Sequence, residues 1–178
     1  MKRITFALAA ITALALTSAT SSAQSAKPIS LGLSLGASIP VGDFADVYQT
    51  GYNGTVSLGF QSYGSPIGIR IDGSFNQFPD RSDLIVPRPD YRILTGNANL
   101  VYSLPGVGIR PYLIGGAGIY GQRPDVDGAE TISDFGVNGG IGAAFPLSGF
   151  TTFIEARYHH IFSDATTSYI PVNFGISL

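Results

Sequence analysis

The chain has 178 residues, of which 10 are Lys or Arg and 12 are Asp or Glu, for a formal net charge of −2 with histidine neutral. That length suits one domain, and the lack of any Lys/Arg cluster argues against nucleic acid as a partner. With no cysteine there is neither a disulfide framework nor a lipid-attachment cysteine, and 23 Gly and 11 Pro beside only 12% charged residues favour turns and strands over regular helices.

Residues 1–23 have the make-up of a secretory signal peptide: Lys2 and Arg3, an apolar run from Ile4 to Leu16, then Ser21-Ser22-Ala23 as a cleavage site. The run is shorter than the roughly 18–20 apolar residues that a membrane-spanning helix needs. Cleavage before Gln24 is expected, leaving 24–178 as one β domain.

From there the chain alternates. Ile29 to Ile39 sets Ile29, Leu31, Leu33, Leu35 and Ala37 against Ser30, Gly32, Ser34, Gly36 and Ser38. Successive side chains of a strand point to opposite faces, so this period of two is a strand signal. A loop from Pro40 to Gly51 follows, in which Asp43 to Gln49 can form a helical turn. Tyr52 to Ser62 is the second strand, and Tyr63-Gly64-Ser65-Pro66 turns into the third, Ile67 to Phe78. There Ile67, Ile69, Ile71 and Phe75 oppose Arg70, Asp72 and Ser74.

A charged loop runs from Pro79 to Asp90, with three prolines that cannot donate to a ladder. Tyr91 to Ser103 is strand four, and Leu104 to Gly108 a short turn. In strand five, Ile109 to Gly121, both rows are apolar, and Tyr112 and Tyr120 are expected to face outward. After a loop from Gln122 to Ser133 come strand six, Asp134 to Phe145, a turn at Pro146 to Gly149, strand seven, Phe150 to Phe162, a loop from Ser163 to Ser168, and strand eight, Tyr169 to Leu178.

Eight strands of this length match a tilted bilayer crossing, and long connections after strands one, three, five and seven would gather at one end. The charges decide which row faces out. A water-soluble barrel would need Lys, Glu and Arg on its outer row, whereas the polar row here is Gly, Ser, Asn and Thr with Arg70, Asp72, Glu155 and Arg157 as its clear mid-strand charges. Turned inward, small residues fill a narrow eight-stranded interior and the four charges can pair. Turned toward lipid, one Arg would cost about 2–4 kcal/mol at the bilayer midplane. The expected fold is therefore all-β: an eight-stranded antiparallel up-and-down transmembrane β-barrel. Tyr52, Phe78, Tyr91, Tyr120, Phe135, Phe162 and Tyr169 near the long loops, and Phe60, Tyr63, Tyr102, Phe145 and Phe150 near the short turns, would form two interfacial girdles.

The segments PVGDF, NANLVYSLPG, RPYLIGGAGIY, EARYH and the closing IPVNFGISL resemble the outer-membrane β-barrel superfamily that includes OmpA- and OmpX-type proteins. The resemblance spans 27–178 and implies export to a bacterial outer membrane, insertion by the barrel-assembly machinery, and outer-membrane lipids and lipopolysaccharide as surroundings. Such barrels commonly end in an aromatic residue; this chain ends in Leu178, with Phe174 four positions earlier.

Arg70, Asp72, Glu155 and Arg157 are the candidate lumen charge network, expected to be an interior salt-bridge cluster rather than a gate, because eight strands leave room for filling side chains and not for a channel. Lipid A deacylases of this superfamily carry a His followed two residues later by Ser. Here His159 and His160 are followed at that spacing by Ile161 and Phe162, so no catalytic residues are assigned and the two are expected to be an interfacial pair. Asp125 to Glu130 lacks calcium-loop spacing, so no metal site and no cofactor are expected. The function read from the sequence is a structural or surface-interaction barrel that works through four long outer loops and an extracellular ligand. Its rivals are a narrow passive channel and, further off, a lipid-modifying enzyme.

Overall fold

A computed structural model describes residues 28–81, 88–163 and 167–178. The signal peptide and its cleavage site lie outside these residues, as do parts of the second and fourth outer loops. Eight strands follow in order: β1 (Ile29–Val41), β2 (Gly51–Gln61), β3 (Ile67–Phe78), β4 (Tyr91–Ser103), β5 (Arg110–Pro124), β6 (Ile132–Pro146), β7 (Thr151–Ile161) and β8 (Thr167–Ser177). One short helix, α1 (Asp43–Val47), interrupts the first long connection. Each strand pairs antiparallel with the next, and β8 closes on β1 through pairs such as Leu35↔Phe174. Closure leaves no edge and satisfies the ladder within the chain, which a hydrocarbon environment requires.

The polar rows face in. Ser34, Ser38, Asn53, Thr55, Asp72, Asn97, Asn99, Asn138, Glu155, Arg157 and Asn173 are buried, while Leu35, Val56, Ile71, Leu100, Ile141 and Phe174 are exposed on the outer wall. An inside of amides and hydroxyls within an outside of aliphatics is the reverse of a soluble barrel.

Three expectations need correction. In β5 the tyrosines point inward: Tyr112 is 7% exposed and Tyr120 0%, whereas Leu113 and Ile119 are 48% and 56% exposed. The reason lies across the ladder, where β6 offers glycine on the inner face. A Cβ on Gly142 would stand 2.2 Å from Tyr112 Cζ, and one on Gly136 2.7 Å from Tyr120 Cε2. Each ring thus lies over a glycine, and each hydroxyl finds a partner in the lumen: Tyr112 donates to Glu155 Oε2 at 2.7 Å, and Tyr120 Oη lies 2.9 Å from His159 Nδ1. Gly142→Val should accordingly lower the urea midpoint of the folded barrel by the equivalent of about 1–3 kcal/mol, as an overpacked interior does. A midpoint equal to that of the parent would mean that the ring is not seated on this glycine.

The second correction concerns the outer girdle. Tyr52, Phe135 and Phe162 are exposed, but Phe78, Tyr120 and Tyr169 are fully buried and belong to an inner cluster with Phe44, Ile93 and Ile161. The third concerns the loops. β5 and β6 run 15 residues each, because their ladder continues to Gln122↔Ile132, so the third outer connection shrinks to 125–131. The fourth, 162–166, is no longer than the short turn at 62–66. Only the first two outer connections are long.

Candidate functional site

The four charged residues of the polar row come together. Arg70 and Asp72 are two apart on β3, Glu155 and Arg157 two apart on β7, so each pair shares one face of its strand. Across the lumen Arg70 Nη2 donates to Glu155 Oε2 at 2.5 Å, and Arg157 Nη1 to Asp72 Oδ2 at 2.6 Å. Along the strands Arg70 Nε lies 3.2 Å from Asp72 Oδ1 and Arg157 Nε 2.9 Å from Glu155 Oε1. The result is a closed square in which every charge touches two of opposite sign. Further donors complete it, Tyr112 on Glu155 and Asn99 Nδ2 on Asp72 Oδ2 at 2.8 Å. Paired, neutral overall and hydrogen-bonded is the condition under which buried charge is tolerated.

Toward the long loops the filling continues. Thr95 lies 2.7 Å from Ser74 and accepts from Asn97 Nδ2 at 3.1 Å. Ser38 donates to Asn76 Oδ1 at 2.8 Å and accepts from Asn53 Nδ2 at 3.0 Å. Above them His159 stacks on Tyr169, ring centroids 4.9 Å apart, with Tyr120 at its edge. Phe78 meets Tyr169 edge-on at 5.4 Å, and the mouth is covered by Phe44 of α1, which packs on Phe78 at 5.0 Å and on Tyr48 at 4.9 Å. Burial pushes the Tyr48 phenol above its ordinary range, against the lowering pull of Arg88 and with Asp80 and Asp90 adding to the rise.

Nothing in the local pattern marks Phe44, Phe78, Tyr120 or Tyr169 as interior residues, since an aromatic at a strand end reads equally well as girdle or as plug. For the β5 rings a signal exists in the inward glycines of β6, Gly142 opposite Tyr112 and Gly136 diagonal to Tyr120; no such signal marks Phe44, Phe78 or Tyr169.

The histidines do not form an interfacial pair. His159 is 2% exposed inside the barrel, whereas His160 lies on the outer wall against Tyr158 and Phe162. Ser168, opposite it on β8, has Oγ 3.0 Å from His160 Nδ1 and accepts from Tyr158 Oη at 3.0 Å. Among the described residues no carboxylate bonds to His160, so within them the serine–histidine contact has no orienting group of the kind that activates such a nucleophile.

A family model described as "Outer membrane protein beta-barrel domain" matches residues 6–178. No curated protein matches the chain. Among solved structures, Neisserial surface protein A (NspA) superposes with a TM-score of 0.69 at 12% identity, covering 87% of this chain and 99% of that one. Ail, the attachment invasion locus protein of Yersinia pestis, gives 0.54 at 16%, covering 84% and 97%. The outer membrane enzyme PagL gives 0.50 at 13%, covering 84% and 98%. At these identities the likeness shows a shared barrel, and one barrel serves an invasion-locus protein and an enzyme alike.

Proposed function

Because the chain belongs to the outer membrane protein beta-barrel domain family, and so resides in the bacterial outer membrane, we propose that it is a plugged, non-catalytic scaffold presenting its outer connections at the cell surface. In this reading lipopolysaccharide and phospholipid surround it, the barrel-assembly machinery inserts it, and the first two outer connections carry the contact with an external ligand.

The observation that supports the reading is the filling of the lumen. The charge square spans the barrel from β3 to β7. The aromatic cluster under α1 lies between it and the outside. A passage would need layers lined by glycine or serine alone, and at these two levels the space is taken by guanidinium groups and rings. The other two functions lean on weaker features: transport on the small residues between the layers, lipid modification on the incomplete Ser168–His160 contact.

Single-channel recording of the refolded protein in a planar bilayer tests this. The parent barrel should be electrically silent while showing the heat-modifiable migration of a folded barrel. Discrete conductance in the parent, enlarged in Arg70→Ala/Arg157→Ala, would turn the square into a constriction and replace the scaffold by a transport protein.

A further inference from the structure

On the outer wall, at the end of the barrel that carries the long connections, two arginines stand directly opposite each other. Arg92 of β4 pairs with Arg123 of β5, and both belong to the outward rows of their strands. Like charges at facing positions of a ladder repel, so the arrangement calls for a counter-charge. Arg92 is partly served: Nη2 donates to Asp125 Oδ1 at 2.6 Å and Nε to Gln77 Oε1 at 3.3 Å. Its Nη1 has no acceptor among the described residues, and Arg123 forms no ion pair among them.

The register places these arginines at the outer rim of the membrane wall. Tyr52 pairs with Gln77 and Gln77 with Arg92, so Arg92 shares a rung with Tyr52, an exposed aromatic of the outer girdle, and the tilt of the strands carries that rung further toward the long connections at β4 and β5. Two rungs below, at the next outward-facing positions toward the bilayer centre, Phe75 pairs with Leu94 and Leu94 with Gly121. Arg92 lies over the Phe75 ring at 5.5 Å. The two rungs enclose a cleft of about 230 Å³ lined by Phe75, Arg92, Leu94, Gly121, Arg123 and Thr131. Gly121 is its floor, where a Cβ would already touch Thr131 Cγ2 at 3.1 Å.

We infer that this cleft binds the phosphate monoester of an outer-leaflet amphiphile, with the phosphate between Arg92 and Arg123 and an acyl chain over Phe75 and Leu94. A phosphate monoester carries more than one negative charge and several acceptor oxygens, which suits two forked guanidinium groups. A soluble anion would gain nothing from the apolar lower rung, and an uncharged lipid would leave Arg123 without a counter-charge among the described residues. The cleft lies on the outward rows of β4 and β5, so a ligand reaches it from the surrounding leaflet rather than through the lumen.

Native mass spectrometry of the refolded full barrel in detergent micelles tests the site with three probes: bisphosphorylated lipid A, the same lipid A stripped of its phosphates, and inorganic phosphate. The parent should retain one phosphorylated lipid, and Arg92→Gln/Arg123→Gln should hold it about tenfold less well or worse, each single variant falling between, as loss of charge-assisted contacts implies. Arg110→Gln, at the short-turn end, should bind like the parent. Equal retention of the stripped lipid, or an unchanged double variant that still shows heat-modifiable migration, overturns the site. Displacement of the lipid by equimolar inorganic phosphate would reduce it to a bare anion site and overturn its lipid half.

Discussion

Arg157→Met should be among the most damaging single substitutions in the barrel, lowering its unfolding free energy in phospholipid vesicles by about 3–5 kcal/mol, the usual cost of stripping one partner from a buried charge pair. In the parent, Asp72 and Glu155 each touch two guanidinium groups. Without Arg157 both must share Arg70, and the lumen carries an uncompensated negative charge. Asp72→Leu/Arg157→Met removes one whole cross-lumen pair and leaves Arg70 facing Glu155, so the layer is neutral again. The double variant should therefore lose less than the sum of its two single variants, with a coupling of about 0.5–3 kcal/mol as expected for residues in one network. Arg70→Met should cost less than Arg157→Met, since the Arg70 side chain is 14% exposed against 4% for Arg157. Urea unfolding followed by far-UV circular dichroism measures all four. Strict additivity would show four independently solvated charges and remove the square as a structural layer.

The barrel was legible because its signal is periodic and redundant. Eight alternating rows, each with its polar face too weakly charged for water, leave little choice of which face goes in, and β3 and β4 begin and end where the pattern does. The square was legible for a simpler reason: Arg70, Asp72, Glu155 and Arg157 fall on inward positions of two strands, and opposite charges in a narrow lumen must meet. Legibility fails where a side chain suits both environments. Tyrosine has an apolar body and a polar tip, so in β5, whose two rows are both apolar, the outward expectation for Tyr112 and Tyr120 rested on little, and the glycines of β6 that leave room inside reverse it. The loop ends fail for a related reason. Arg123 and Pro124 look like loop residues, yet the β4–β5 ladder extends to Tyr91↔Pro124, which lengthens β5 and sets Arg92 beside Arg123. That juxtaposition is a property of register and no local motif carries it.

Phe44→Ala tests the outer cap. Five residues cannot sustain a helix, and α1 has no side-chain N-cap; it starts from Gly42, whose φ of 63° suits glycine. Its position depends on Phe44, buried against Phe78, Tyr48 and Tyr91, and on bonds to the second outer connection: Gln49 N donates to Pro79 O at 2.9 Å, Arg81 N to Val47 O at 3.2 Å, and the Arg81 guanidinium to Ala45 O. Truncating a buried phenylalanine removes about 3–5 kcal/mol. Because α1 lies outside the ladder, that loss should fall on local docking and leave the global unfolding transition nearly unmoved. Hydrogen exchange should then show the amides of Ala45, Tyr48 and Gln49 losing about 100-fold or more of their protection, the equivalent of roughly 3 kcal/mol, while β1 to β8 keep theirs. Unchanged protection would mean that the backbone bonds to 79–81 hold the cap and the aromatic cluster does not. The same variant separates the two obstructions in the lumen. Opening the cap leaves Phe78, Tyr169 and His159 in the lumen and the square beneath them, so Phe44→Ala should stay silent in a planar bilayer. Current through that variant alone would move the seal of the barrel from the charges to the rings.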